Sequence, residues 1–411
     1  MDSVLNAIVQ LQAGAQELDL TGEDLGDAEV AALTHVLATN MTLRELRLWH
    51  NNIGYDGVQS LALALHNNAA LTSLDLTYNN IGAEGARSLA AALHNNATLT
   101  SLDLGCNNIG TEGARSLAAA LARNATLTSL DLWNTNIDAE GARSLAAALR
   151  NNATLTSLYL NGNDIGDEGA RSLAAALDNN ATTLTSLDLN HNEIGAEGAR
   201  SLAAALDNNA TLTSLGLGDN NIGDEGARSL AATLVRNVKL MTLDLGCNNI
   251  DDEGARSLAA ALRINTALTS LDLGCNNVGD EGARSLAAAL DMNRVLQRLL
   301  VSNLITADIK NLMRDRLRVN KLVPKIALWV ASAVARRVEL WDGAVVLGPA
   351  LVARAAVLAF GDELLDFLLP DRIELWLSPG GRDFAAAYLL PRAETVLRHE
   401  LLRLSFARAK D

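Results

Sequence analysis

The sequence predicts an α/β fold in which a short strand and a helix alternate along the chain and stack into a solenoid. Three observations support this prediction. The first is a leucine, expected in a strand, that returns every 28 residues apart from one step of 29. The second is the LxxLxL segment that surrounds each of these leucines, and the third is a set of small apolar residues that follows at helical spacing. The recurring leucines are Leu18, Leu46, Leu74, Leu102, Leu130, Leu158, Leu187, Leu215, Leu243, Leu271 and, in a degenerate unit, Leu299. A fixed period of this size indicates stacked repeats.

The unit that begins at Leu71 shows how each part is expected to fold. Alternation along the strand sends Leu74 and Leu76 inward and Asp75 to the opposite face. After the loop, helical spacing directs a second apolar set to the same interior, namely Ala86, Leu89 and Leu93. A single unit is too small to bury these groups alone, so the fold requires stacked neighbours.

An asparagine follows most strands, and its side-chain amide is expected to satisfy buried backbone groups of neighbouring turns. The asparagines in this position are Asn51, Asn79, Asn107, Asn163, Asn192, Asn220, Asn248 and Asn276. Thr135 replaces asparagine in one unit, which predicts a weaker connection there.

The combined pattern LxxLxLxxNxIGxEGAxxLAxAL resembles the ribonuclease-inhibitor type of leucine-rich repeat, which also occurs in activators of the Ran GTPase and in the sensor arms of NOD-like receptors. The resemblance covers about three quarters of the chain. It implies a curved horseshoe with a parallel sheet on its concave side and helices on its convex side. Because this repeat class serves many partners, the resemblance alone does not identify a function.

We expect three segments along the chain. Residues 1–16 form an N-terminal helical cap, residues 17–320 form about eleven repeats of which the last is degenerate, and residues 321–411 form a mainly helical region. All five prolines lie beyond Asn320, and residues 321–411 carry 12 basic and 11 acidic residues against 21 and 37 before them. Helices are predicted between residues 324 and 341, 349 and 368, and 393 and 408. This region either docks a second partner or caps the array.

The N-terminal residues favour a cytoplasmic protein. The first sixteen residues lack a basic segment followed by an apolar run, so no secretory signal is expected. The Asn-Ala-Thr glycosylation triplets are therefore interpreted as helix-to-strand turns, at Asn96, Asn124, Asn152, Asn180 and Asn209. In the C-terminal region, uncharged runs such as residues 343–353 are far shorter than the roughly 18 residues that span a bilayer. A helical hairpin at a membrane surface remains an alternative for the C-terminal region.

The three cysteines, Cys106, Cys247 and Cys275, occupy the same position just after the strand. Cys247 and Cys275 lie on adjacent repeats, where a spacing of about 5 Å allows a disulfide or two ligands of a metal. The simpler interpretation is that both are free thiols copied with the repeat, since no further ligand cluster is visible. We therefore predict no resident metal and no cofactor.

The middle strand position carries an acidic row that is expected on the concave face. Asp75, Asp103 and Asp131 should lie about 5 Å apart, which costs repulsion unless a cation or a basic partner relieves it. We predict a partner-binding surface made of this row and its aromatic neighbours: Asp75, Asp103, Asp131, Asp188, Asp244, Asp272, Trp49, Tyr78, Trp133 and Tyr159. The alternative is a duplicated acidic face that only maintains solubility.

A second charged ladder, of Glu and Arg three residues apart on successive helices, is expected on the convex side. Its pairs run from Glu84 and Arg87 to Glu281 and Arg284. Each pair can add a few tenths of a kcal/mol. A solvated surface explains this ladder more simply than a partner site.

These observations favour a non-catalytic scaffold that binds another protein as a monomer, and the acidic row favours a basic partner. The sequence lacks GxSxG, HExxH and GxxxxGK[ST], which argues against common catalytic classes. An acidic concave face repels phosphate, so nucleic acid is not expected on the repeats. Two alternatives follow from the resemblance: a GTPase-activating protein for a small GTPase, and an innate-sensor-like or host-mimicking repeat protein. The acidic tail of the Ran activators has no counterpart here, which weakens the first.

Overall fold

The computed structural model describes residues 2–178, 182–301, 305–318 and 320–321. The chain divides into two units, residues 1–317 and residues 318–411. The strands β1 to β11 and the helices α1 to α11 given below belong to the first unit. The predicted C-terminal helices lie outside the described residues, and the domain boundary at Asn320 stays a prediction.

Eleven short strands form one parallel sheet in which each strand pairs with its sequence neighbours. Their bounds are β1 Glu17–Asp19, β2 Glu45–Arg47, β3 Ser73–Asp75, β4 Ser101–Asp103, β5 Ser129–Asp131, β6 Ser157–Tyr159, β7 Ser186–Asp188, β8 Ser214–Gly216, β9 Thr242–Asp244, β10 Ser270–Leu273 and β11 Arg298–Val301. The strand leucines pair with one another along the sheet, as Leu74 does with Leu102. The register confirms the alignment of the repeats that the period predicts.

Helices alternate with the strands. Their bounds are α1 Asp2–Gln12, α2 Asp27–Leu37, α3 Tyr55–Asn67, α4 Gly82–Leu93, α5 Gly110–Leu121, α6 Ala139–Leu149, α7 Gly166–Leu177, α8 Ala196–Leu206, α9 Gly223–Leu234, α10 Asp252–Leu262 and α11 Asp280–Leu290. Residues 307–318 are also helical. This order confirms the predicted leucine-rich solenoid, with a parallel sheet on the concave side and helices on the convex side.

The core is a continuous aliphatic layer between sheet and helices. Leu74 from β3, Leu76 just after that strand, and Ala86, Leu89 and Leu93 from α4 are all at most 2% exposed. The equivalent residues of the other repeats join the same cluster. Alanines let adjacent helices approach closely, while leucines fill the space beneath the strands.

The asparagine that follows most strands connects neighbouring repeats, as predicted. The Asn79 side chain donates to the carbonyl oxygens of Leu48 and Leu76, at 3.0 and 2.9 Å, and accepts from the Ile53 amide at 3.0 Å. In the Thr135 repeat, a single hydroxyl donates to the Leu132 carbonyl at 2.7 Å. The threonine therefore replaces only part of the asparagine network.

A second ladder of buried asparagines, which the repeat pattern did not lead us to predict, lies at the helix-to-strand turns. Asn124, one of the triplet asparagines, is 6% exposed. Its amide nitrogen donates to the Leu93 carbonyl of the preceding repeat at 2.8 Å, and its oxygen accepts from the Leu127 amide at 2.8 Å. Asn96, Asn152 and Asn209 repeat this arrangement. The interpretation as turns understated their role, because these side chains join consecutive repeats.

The two ends of the array are closed by helices, with small differences from prediction. In α1, Val4, Ala7 and Leu11 are buried, whereas Leu5 and Val9 are 59% and 60% exposed. In the helix at 307–318, Ile309 and Met313 are buried, while Leu312, predicted for the same face, is 43% exposed. The buried faces of these two helices are narrower than hydrophobicity alone suggests.

Candidate functional site

The face of the sheet opposite the helices carries the predicted row of aspartates. Strand pairing sets Asp75 opposite Asp103, Asp103 opposite Asp131, and Asp131 opposite Tyr159. Farther along, Asp188 and Asp244 flank Gly216, and Asp244 pairs with Asp272. The sheet therefore aligns all seven predicted strand residues, with Tyr159 and Gly216 interrupting the carboxylates.

Most of these aspartates also have a local structural role that the sequence analysis missed. The Oδ1 atom of Asp75 accepts a hydrogen bond from the Thr77 amide at 2.9 Å, and Asp131 accepts from the Trp133 amide at the same distance. The same bond forms at Asp188, Asp244 and Asp272. Each carboxylate thereby orders the chain as it leaves the strand. Repetition of aspartate at this position therefore has a folding explanation in addition to any binding role.

Asp103 and Asp131 form a hydrogen-bonded carboxyl pair. Burial is the main reason that the pKa of Asp103 rises to about 6, and the nearby charge of Asp75 adds to it. Burial and the charge of Asp103 raise the pKa of Asp131 to about 7. Two ionised carboxylates have no proton to share, so this hydrogen bond requires that one of the two groups be protonated. A proton thus relieves the repulsion for which the sequence analysis invoked a cation or a basic partner.

A cluster of aromatic rings lies at the edge of the sheet where the strands end. The Tyr78 ring centroid is 6.2 Å from that of Trp49 and 5.5 Å from that of Trp133, with edge-on interplanar angles of 70° and 72°. His50 also contacts Trp49 and Tyr78. Trp49 and Tyr78 remain 43% exposed. The structure therefore brings together three of the four predicted aromatic residues, while Tyr159 lies in the acidic row.

Gly105 allows Trp133 to reach Tyr78, which is two repeats away. A Cβ atom on Gly105 would lie 2.1 Å from the Trp133 Nε1 atom. Such a separation is far below van der Waals contact, so any larger residue would displace the indole. The glycine can be seen in the sequence, but its role in the site depends on the direction of the Trp133 side chain, which belongs to the next repeat.

We call the group formed by Trp49, Asp75, Tyr78, Asp103, Asp131 and Trp133 the acidic–aromatic patch. Its carboxyl pair joins β4 to β5, and its rings cover the strand ends of the second to fifth repeats. The remaining predicted acidic residues form a second group. Among these, burial raises the pKa of Asp188, and the charge of Asp244 adds to that effect.

The convex Glu–Arg ladder forms only in part as predicted. Five intrahelical pairs are present, from Glu84 and Arg87 to Glu197 and Arg200. Farther along, Arg228 reaches Glu253 and Arg256 reaches Glu281 on the next helix, while Arg284 pairs with Asp280. All of the arginines in these pairs are at least half exposed, which limits their contribution to stability.

Within the described residues, no group of three or more His, Cys, Asp or Glu side chains is arranged to hold a metal ion. In the same part of the chain, no helix is long and apolar enough to cross a bilayer. The Cys247 and Cys275 side chains contact each other, and both are free thiols.

Three solved structures are similar to parts of this chain. The chain is 22% identical to the actin-binding site 2 domain of leiomodin-1, over 39% of this chain and 95% of that one, with a TM-score of 0.36. It is 13% identical to the tropomodulin C-terminal domain of Caenorhabditis elegans, over 36% and 92%, with a TM-score of 0.32. It is 21% identical to an internalin from Listeria monocytogenes, over 76% and 92%, with a TM-score of 0.45. Comparison with curated proteins gave no match.

The family profile described as Leucine Rich repeat matches nine segments of the sequence. They are residues 39–62, 67–90, 95–118, 123–146, 151–174, 180–203, 208–231, 236–259 and 265–287. Each segment contains the strand, the loop asparagine or its replacement, and the first turns of the helix that the fold repeats. The chain belongs to the leucine-rich repeat family.

Proposed function

We propose that this protein is a non-catalytic scaffold that binds a basic protein through the acidic–aromatic patch. Leucine-rich repeats typically serve as protein-binding modules, and solenoids present extended concave surfaces for that purpose. The observation that carries the proposal is the convergence of three rings and three carboxyl groups on one open face.

The aromatic rings supply the contact energy in this proposal. Only 3% of the residues of the chain are aromatic, yet Trp49, Tyr78 and Trp133 meet on one face. Rings held by neighbouring rings lose little freedom on binding, and tryptophan and tyrosine are enriched among the residues that dominate interface energies. Trp49 and Tyr78 are also accessible, since nearly half of each side chain is exposed.

The carboxyl groups select the partner. Asp75 lies beside the hydrogen-bonded pair of Asp103 and Asp131, so the patch gains negative charge when that pair loses its proton. A lysine or arginine of the partner would favour the ionised form and could also lie over an indole face. The net charge of −15 on the whole chain favours encounter with a basic protein.

Affinity capture from a lysate of the source cells tests this proposal. The bait proteins are the intact chain, a patch variant with Trp49→Ala, Tyr78→Ala and Trp133→Ala, and a convex variant with Arg87→Ala, Arg115→Ala and Arg143→Ala. The convex variant is a matched control, because its three arginines form exposed ion pairs on successive helices.

The proposal predicts a protein retained by the intact chain and the convex variant, absent from the patch variant, and released as salt rises. Capture of the same proteins by the patch variant would contradict it. Circular dichroism of all three baits establishes that the substitutions leave the repeat fold intact.

A further inference from the structure

Two of the three cysteines lie side by side on neighbouring repeats. Asp244 on β9 lies opposite Asp272 on β10. Cys247 lies three residues after Asp244, and Cys275 lies three residues after Asp272. The Cys247 amide donates to the carbonyl of Gly274, immediately before Cys275, at 2.8 Å. Residues matched in this way across a parallel ladder lie about 5 Å apart, within the range that disulfides span.

The backbone directs the two side chains to the same side. Both cysteines adopt the left-handed conformation, with φ angles of 52° and 54°. Equivalent positions with equal backbone conformation have nearly parallel Cα–Cβ bonds, and the two thiols contact each other. Cys275 is exposed and Cys247 is partly exposed, so small reagents can reach the pair.

Cys106 provides an internal comparison. It occupies the same position five repeats earlier, also in the left-handed conformation. Its neighbours in the column are Tyr78 and Asn134, and the Asn134 amide donates to its sulfur at 3.2 Å. The distance along the sheet to the other two cysteines excludes an intramolecular bond with them.

We infer that Cys247 and Cys275 are a site of oxidative modification, at which a hydroperoxide converts the two thiols into a disulfide that joins the ninth and tenth repeats. The exposed Cys275 thiolate attacks a peroxide oxygen, which forms an S–O bond, breaks the O–O bond and releases an alcohol or water. Cys247 then attacks the Cys275 sulfur, which forms the S–S bond, breaks the S–O bond and releases water with the Cys247 proton. The two thiols lose two electrons in total, and the peroxide gains them.

The surroundings of the pair support this order of events. Burial and a hydrogen bond from its own thiol to Cys275 raise the pKa of Cys247 to about 11. Cys247 is therefore the poorer initial nucleophile, because the thiolate is the reactive form. Once Cys275 is a neutral sulfenic acid, the charge of its thiolate no longer raises the pKa of Cys247, whereas burial and the charges of Asp219 and Asp244 still do.

Peptide mapping of the full-length chain after hydrogen peroxide treatment tests the inference. Alkylation followed by trypsin separates the three cysteines into residues 240–256, 264–284 and 88–115. The expected result is a disulfide between the first two peptides, with a mass lower by two hydrogens than the sum of the two separate thiol peptides. Cys106 should remain available for alkylation. Cys275→Ser should slow the loss of the Cys247 thiol by at least about tenfold. Cys106→Ser should leave that loss unchanged.

Three results would overturn the inference: no linked pair at peroxide doses that oxidise Cys106, equal loss of the Cys247 thiol in the Cys275→Ser variant, or a bond between two chains. Mixing isotopically labelled and unlabelled protein before oxidation identifies the last case, because only bonds between chains give hybrid peptides. Recovery of both thiols with a reductant separates a disulfide from irreversible oxidation.

Discussion

The carboxyl groups of Asp103 and Asp131 share a hydrogen bond across β4 and β5. The other oxygen of Asp103, Oδ1, is buried without a protein hydrogen-bond partner among the described residues. Both features favour one proton on the pair near neutral pH. The acidic row is therefore less negative in the fold than its sequence suggests, and its charge depends on pH.

Replacement of Asp131 by asparagine should stabilise the fold at alkaline pH. The amide oxygen can still accept from Trp133, and the amide nitrogen can donate to Asp103 in place of the carboxyl proton. The folded pKa of about 7 lies above the unfolded value, so the contribution of Asp131 to stability is present below the unfolded pKa and lost as pH rises through 7. We expect a gain of about 2 kcal/mol at pH 8 that disappears near pH 4, measured by urea denaturation.

Asp19→Asn is the matched control for that experiment. Hydrogen bonds from Thr21 lower the pKa of Asp19, which is the opposite direction of shift. Its contribution is present at alkaline pH and lost as pH falls through the folded pKa, so this variant should show no gain at pH 8. If both variants are more stable than the parent at pH 8, the effect arises from the change in net charge and not from the shared proton.

Binding of the basic partner should strengthen between pH 6 and pH 8. The pKa values of about 6 and about 7 mean that the pair gains negative charge over this range. We expect the dissociation constant to fall roughly threefold to tenfold, measured by titration calorimetry in buffers of equal ionic strength. The Asp131→Asn variant should lose most of this dependence on pH. If its dissociation constant changes with pH as much as that of the parent, the carboxyl pair does not contribute to binding.

Gly105→Ala should disrupt the aromatic cluster with little effect on the core. The new methyl group would occupy the position of the Trp133 indole, which must then leave Tyr78. We expect a changed near-ultraviolet circular dichroism spectrum and loss of partner binding. Gly246→Ala is the control, since the nearest neighbour of its added Cβ is an Asp244 carboxylate oxygen at 3.3 Å. Equal spectra for the two variants and the parent would contradict the proposed packing.

Thr135→Asn should stabilise the array by completing the asparagine ladder. An asparagine there could donate to Leu104 and accept from Ile109, as Asn107 does with Leu76 and Ile81. A gain of about 1 kcal/mol is expected from these bonds. The reciprocal change Asn107→Thr should cost about 1–3 kcal/mol by leaving buried backbone groups unpaired. Urea denaturation measures both, and a loss in the first variant would show that the threonine repeat packs differently.

The repeat sequence predicts more of the fold than of the site. Leucine periodicity determines the strand register, since Leu74 and Leu102 pair as their spacing requires. The contact between Trp133 and Tyr78 depends on side-chain direction across Gly105, which a pattern of residue types does not contain. The proton shared by Asp103 and Asp131 depends on burial, which becomes visible only when neighbouring repeats are in place.

The dissociation constant of the captured partner, measured for the patch variant and for the convex variant, tests the central claim most directly. If the acidic–aromatic patch is the binding surface, loss of Trp49, Tyr78 and Trp133 should weaken binding by at least about 30-fold. Loss of the convex arginines should change it by less than about threefold. Equal affinities for the two variants, or a greater loss in the convex variant, would contradict the assignment of the binding surface to the concave face.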